Sequence, residues 1–285
     1  MKTASFILIS VSALLFSLQF LFSQIYQKNN GTGLKATVVF SGYSKAVIMA
    51  IMLFIMKFQL EFHWFSFLIG IVYAINGLLM TYFSLKAFAV TNLSVYSVFS
   101  MLGGMILPFL LGVAVYNEKI DIYKILCCLL IAVSVILTGK TEKGKNKNSR
   151  YYLFIFIFNG MSGILFKIHQ STAFPHCGST NFMFWASLSE MVICAAILLF
   201  LGEKPTVLCK KDVLSVIGYG AFCGIGNLFV LIAAGYIPSS VQYPIITGGV
   251  MALSTFIAVL LGQNVSLKSK IAAGIAFAAS VFMAL

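Results

Sequence analysis

Two residues in this chain carry charge where charge is expensive. Lys45 sits in "SGYSKAVIMA", residues 41–50, with apolar sequence on both sides, and Glu190 lies as deep in "FWASLSEMVICAAILLF". A lone ionised side chain at the centre of a bilayer costs at least ~2.5–3.5 kcal/mol on the insertion scale, and such residues mostly mark ligand or ion pathways. The chemistry open to this pair is binding. Lys45 suits a carboxylate or phosphate, and Glu190 suits an amine or a proton. The opposite charges can also offset each other, and a structural ion pair that merely orients helices is the competing reading. Ser41 lies four residues before Lys45 and Ser187 three before Glu190, so each charge shares a helical face with a hydroxyl.

Further polar residues recur at helical spacing in the neighbouring apolar runs. One stripe carries Tyr73, Asn76, Gly77, Met80, Thr81 and Ser84, and a second carries Tyr219, Cys223, Gly226 and Asn227. Tyr96 and Ser100 belong to another run, Tyr243 and Thr247 to a fourth, and Gln19 and Asn159 add amides. The candidate substrate-binding set is Lys45, Glu190, Tyr73, Asn76, Thr81 and Ser100, together with Tyr96, Asn227, Tyr243 and Thr247, with Glu190 also the candidate for proton coupling. Each has a plainer reading. Serine and threonine in spans often bond their own backbone, and Tyr96, Tyr243, Trp64 and Trp185 suit an interfacial aromatic belt. The pair Gly103–Gly104 fits close helix packing better than substrate contact.

Other chemistry is poorly equipped. There is no paired set of acids, no histidine cluster and no nucleophile beside a base, so an intramembrane enzyme is disfavoured. No nucleotide-binding loop occurs, and no residue set points to a cofactor. The six cysteines lack metal or disulfide spacing, and His169, His176 and Cys177 read as ordinary polarity of a connection. No metal is expected.

These residues must be positioned by membrane-spanning helices. Sixty per cent of the 285 residues are hydrophobic and nine per cent charged, where a soluble domain keeps roughly a quarter charged. The net charge of +12 gathers in short connections, which points to membrane topology rather than to nucleic acid. Runs long enough to cross a bilayer centre on 4–23, 36–57, 64–87, 93–115 and 121–139, then on 151–168, 180–202, 212–236, 239–262 and 268–285. The first of these resembles a secretory signal but is longer, with no small-residue cleavage site, and is read as a span. The expectation is an all-α membrane protein of ten transmembrane helices.

The two halves look duplicated. "SMLGGMIL" at 100–107 aligns with "ITGGVMAL" at 246–253, and "KILCCLLIAVSV" at 124–135 with "KIAAGIAFAASV" at 270–281. Gly77, Ala87 and Tyr96 correspond to Gly224, Ala234 and Tyr243, and the offset stays between 145 and 147. At the same offset, Lys45 corresponds to Glu190. The organisation is therefore a first five-helix repeat at 1–139, a polar central loop at 140–150 and a second repeat at 151–285. An odd number of spans forces the second copy to enter from the opposite face. Such inverted repeats place a substrate site near the midplane where they meet. The last span, with Ala272/Ala276 and Gly274/Ala278 at small-residue spacing, and the fifth span are expected to pack at the repeat interface or between protomers, away from substrate. A homodimer is one arrangement such faces would serve.

Over nearly its whole length the chain resembles the drug/metabolite transporter superfamily, in particular its EamA-like branch. The most specific piece is "SLKAFAVTNLSVYSVFSMLGGMILPFLLGVAVYNEKI", residues 84–120, with Ala87 before a connection and Glu118–Lys119 as a closing pair. The second half departs from this pattern, with Gln263–Asn264 in place of the charged pair. Lys45 stands where such families often carry an arginine, whereas Glu190 is not part of the familiar pattern. The resemblance implies a carrier working by alternating access, with spans 1–4 and 6–9 lining the cavity.

The functional expectation is a secondary transporter of a small polar metabolite, an amino acid or amine for example, in a bacterial plasma membrane. A flippase for a lipid-linked head group is the alternative, with Lys140, Lys143, Lys145, Lys147 and Arg150 as a phosphate-attracting cluster. A topogenic loop explains those charges more simply. The face shared by the termini carries five basic residues, Lys167 among them, against thirteen on the other, which places the central loop in the cytoplasm. Carriers of the resembled kind usually keep both termini inside, and the charge count is the reading adopted.

Overall fold

The computed structural model describes residues 2–118, 150–203 and 208–284, with separate positions between 122 and 137. Among the described residues the chain is all-helical: α1 (Lys2–Asn30), α2 (Leu34–Ile55), α3 (Trp64–Phe88), α4 (Leu93–Ala114), α5 (Arg150–Ser171), α6 (Ser179–Phe200), α7 (Lys210–Ala234), α8 (Ser239–Leu260) and α9 (Leu267–Ala284). The first eight are long and apolar enough to cross a membrane. Each coincides with an expected span, though α1 runs seven residues beyond the expected end at 23. The expected fifth span, 121–139, is helical at its described positions. The rest of that span and the central loop at 140–149 lie outside the described residues.

Continuous apolar sequence forms these helices because a backbone without water must satisfy its own N–H and C=O groups. Their ends are served unevenly. Asn92 caps α4, its side-chain oxygen accepting from Val95 N at 2.9 Å. The α8 N-terminus follows Pro238, which supplies no side-chain cap. Pro108 lies inside α4 and Pro244 inside α8.

Packing follows a pattern. α1 packs on α7 and α8, and correspondingly α5 packs on α3 and α4. α3 packs on α6 as α2 packs on α7, while α2 meets α6 and α4 meets α8. Exchanging α1 with α5, α2 with α6, α3 with α7 and α4 with α8 leaves this set of pairs unchanged. α9 packs on α8.

Small residues set the closest approaches. A Cβ built on Gly103 would strike the backbone of Phe156, and one on Gly160 would lie 2.6 Å from the Gly103 carbonyl oxygen. The α4–α5 contact is thus backbone against backbone, as the packing reading of Gly103 requires. A Cβ on Gly220 would come 2.8 Å from the Ser44 carbonyl oxygen, which holds α7 equally close to α2.

One sequence expectation changes. The helix α5 continues to Ser171, so His169 belongs to its last turns and not to a connection. His169 is buried, its Nε2 3.0 Å from Ser66 Oγ, which in turn accepts from Cys177 N at 2.9 Å.

Candidate functional site

Lys45 lies near the middle of α2, and Glu190 lies midway along α6, the helix packed against it. Nζ of Lys45 is 3.0 Å from Oε2 of Glu190, with side chains 8% and 0% exposed. Ser41, one turn before Lys45, donates its hydroxyl to Oε1 of Glu190. The carboxylate fits against α3 because residue 77 is glycine: a Cβ there would stand 2.6 Å from Oε2. Removing either partner would strand the other in a dry interior, and that penalty holds the two together more than any net gain from pairing.

Beside the pair is a cavity of about 940 Å³, counting the solvent space at its mouth. α1, α2, α3, α4, α5, α7 and α8 all contribute wall residues. Lys45, Tyr73, Thr81, Tyr96, Asn227, Tyr243 and Thr247 reach this wall, seven of the ten candidates.

The other three do not. Glu190 stands behind the wall, occupied by Lys45 and Ser41. Asn76 turns its amide to α5, donating to Phe158 O and to Ser162 Oγ, both at 2.8 Å. Ser100 is fully buried, and its carbonyl accepts from Asn159 Nδ2 at 2.6 Å. The Asn76 amide ties α3 to α5, and the Ser100 carbonyl ties α4 to α5 through Asn159. The expectation that they face the same space as Lys45 differs from their position, because a polar stripe on a helix can meet a neighbouring helix as well as a cavity. Tyr96 and Tyr243, for which a belt position was the alternative, are buried.

Several polar wall groups are already engaged. Tyr96 Oη is 2.7 Å from Ser84 Oγ, Tyr243 Oη donates to Gly163 O at 3.1 Å, and Thr247 Oγ1 donates to Met101 O at 3.1 Å. Asn227 turns its amide back on Cys223 O and Sγ. Two groups stand out by contrast. Lys45 has three N–H donors, and Glu190 is its one ion-pair partner among the described residues. Gln19 Oε1 is buried without a partner, in a residue of the same wall.

The aromatic wall was not apparent in the sequence. Phe166 stacks on Tyr73 with centroids 5.0 Å apart, and Phe20 meets the Tyr96 ring edge-on at 4.9 Å. Phe16, Phe20 and Phe166 line the cavity but sit in apolar runs where an aromatic carries no positional signal.

A second ion pair joins Glu118, just past α4, to Lys167 near the end of α5. Glu118 Oε1 is 3.0 Å from Lys167 Nζ, both side chains nearly buried. The same carboxylate accepts the backbone N–H groups of Ser239 and Ser240 at 3.1 and 3.0 Å. It thereby serves the α8 N-terminus, where a negative charge also meets the helix dipole. Gln263, just past the end of α8, accepts from Leu93 N at the start of α4 at 3.1 Å and donates to Gln24 at 2.7 Å. Asn92 Nδ2 adds a bond to Asn264 O at 3.1 Å. Lys167 was counted as a face charge in the sequence, and its burial against Glu118 removes it from that count.

No protein-family profile matches the chain, and no curated protein matches it. Solved structures do match. One, described as "Crystal structure of protein", superposes with a TM-score of 0.74 at 16% identity, covering 99% of this chain and 98% of its own. That likeness establishes a shared fold over the whole length.

Proposed function

We propose that this protein is a secondary transporter that moves a small polar organic metabolite across the membrane by alternating access. One observation carries the reading: a cavity beside a buried lysine, walled by helices from both halves of the chain. A carrier needs such a site, reachable from each side in turn.

The architecture proposed is ten spans in two inverted five-helix repeats, of the drug/metabolite transporter kind that the sequence resembles. The exchange-invariant helix pairing supports it, as does the equivalence of Lys45 and Glu190 at the centre. Closure at both ends is the second requirement. Glu118 with Lys167 closes one end of the α4–α8 pair, and Gln263 with Gln24 closes the other. Alternating access releases them in turn. The proposed location is a bacterial plasma membrane.

The test begins with thermal shift of the purified protein against amino acids, amines, carboxylic acids, sugars and nucleotides. Compounds that stabilise it are then offered in radiolabelled form to vesicles containing the protein. Saturable uptake that Lys45→Met abolishes is the expected result. Ligand binding without flux would overturn the transporter reading, and movement of a labelled lipid head group instead would make the protein a flippase.

A further inference from the structure

The wall around Lys45 narrows the class of ligand, given that the cavity is the transport site. Its charged group is one ammonium, 92% buried at the side chain, with N–H donors left over after Glu190. No carboxylate stands on the wall, because Glu190 is lodged behind Gly77 and held by Ser41. A ligand ammonium would therefore find no counter-charge, and a dianionic phosphate would meet only one cation. A monocarboxylate meets one donor group of matching charge. Beside hydroxyl, amide and aliphatic groups, the wall carries six rings in Phe16, Phe20, Tyr73, Tyr96, Phe166 and Tyr219. Planar faces of this kind favour an aromatic body. Gln19 Oε1, buried and unpartnered, adds an acceptor for a hydroxyl or N–H on that body.

Charge balance then involves Glu190. Lys45 and Glu190 together form a neutral pair, and adding a carboxylate leaves one uncompensated negative charge away from water, which is costly. A proton on Glu190 restores neutrality. The titratable groups around Glu190 are Lys45 from α2, Tyr73 from α3, Tyr219 and Cys223 from α7 and Cys194 of its own helix. Of these, Lys45 is the cation whose attraction favours the ionised carboxylate, and a ligand anion on Lys45 weakens that attraction.

We propose that the central cavity takes an aromatic monocarboxylate, its carboxylate on the free donors of Lys45, and that Glu190 takes up one proton as this anion binds. The ligand crosses as a neutral complex.

Titration calorimetry of the purified full chain tests this, in buffers of different ionisation enthalpy, with 4-hydroxyphenylacetate as probe. Acetate, which lacks the ring, and tyramine, which carries an ammonium in place of the carboxylate, are the comparators. The expected results are binding of 4-hydroxyphenylacetate with uptake of about one proton, and an affinity that falls by up to about tenfold per pH unit as pH rises. Acetate binds at least about tenfold more weakly, consistent with the loss of a buried ring, and tyramine does not bind. Lys45→Met loses binding, and Glu190→Gln binds with no proton uptake. Tyramine binding as well as the acid would overturn the anion assignment, and acetate doing so would overturn the aromatic one. Wild-type binding without proton exchange would overturn the role of Glu190, and these wild-type comparisons decide the matter even where a variant fails to fold. Vesicle flux separates this proposal from the one it rests on. Saturable flux of tyramine alone keeps the transporter and rejects the ligand class, whereas binding of 4-hydroxyphenylacetate without flux does the reverse.

Discussion

Glu118 and Gln263 occupy equivalent places at opposite ends of one helix pair. Glu118 follows α4 and bonds the first amides of α8; Gln263 follows α8 and bonds the first amide of α4. The connection runs both ways because α4 and α8 are antiparallel, and only one of the two side chains is charged.

That difference predicts a pH dependence at one end. Burial alone would raise the Glu118 carboxyl, but the Ser240 amide and the Lys167 ammonium outweigh it and hold it below the ordinary 4.5. A carboxyl depressed on folding contributes stability that is fully present above its unfolded value and is lost as pH falls through the folded one. The wild type should lose unfolding free energy steadily below about pH 4.5. Glu118→Gln should lie ~1–3 kcal/mol lower at neutral pH, leaving Lys167 without its carboxylate, and should show a shallower acid slope. Gln263→Ala should destabilise by an amount independent of pH. Denaturation of the purified variants between about pH 6 and 3 checks all three.

The central pair should be strongly non-additive. Lys45→Met or Glu190→Gln alone removes one member of a buried pair, at an expected cost of ~3–5 kcal/mol. The double variant should recover most of that loss. A double-mutant cycle on unfolding midpoints reads the coupling directly, and additive losses would show that the two side chains do not interact.

Gly77→Ala tests placement without touching charge. Its methyl would press on Oε2 of Glu190, so the carboxylate must move relative to Lys45. Uptake of the transported compound should fall by at least about tenfold while the fold survives, because small displacements at a positioned group are expensive. Unchanged uptake would mean that the carboxylate is not held where its contacts place it.

Gly103→Ala and Gly274→Ala form a matched pair. The first drives a methyl into the backbone of α5, where overpacking costs ~1–3 kcal/mol. The second meets open space and should be neutral or stabilising by ~0.5–1 kcal/mol from helix propensity alone. Thermal unfolding of both variants in the same detergent distinguishes these outcomes.

How much of this was legible in the sequence depends on the kind of signal. Helix positions were, because a bilayer-length apolar run leaves the backbone one solution, and the bounds of α2 to α4 fall within two residues of expectation. The meeting of Lys45 and Glu190 was legible through the repeat offset, which placed them at matching depths. Asn76 and Ser100 were read as part of a polar stripe, yet which neighbour a stripe meets depends on tertiary packing. Lys167 was masked by its place near a helix end, where a lysine normally reaches water. Its partner Glu118 was read as one half of the closing pair Glu118–Lys119, which carries no signal for a contact with α5. The aromatic wall was invisible for the opposite reason: phenylalanine is so common in these runs that its position says nothing.

The two prolines give the bundle a bias that its pairing pattern lacks. Pro108 denies the Gly104 carbonyl its helical donor, and Pro244 does the same to Ser240. Both missing rungs lie toward the Glu118 end, one in the later part of α4 and the other in the opening turns of α8. Bending strain therefore has somewhere to go at that end and nowhere comparable at the Gln263 end, where the same two helices keep their ladders unbroken. A bundle whose helices pair alike at both ends thus has its broken ladders and its titratable clasp together on one side.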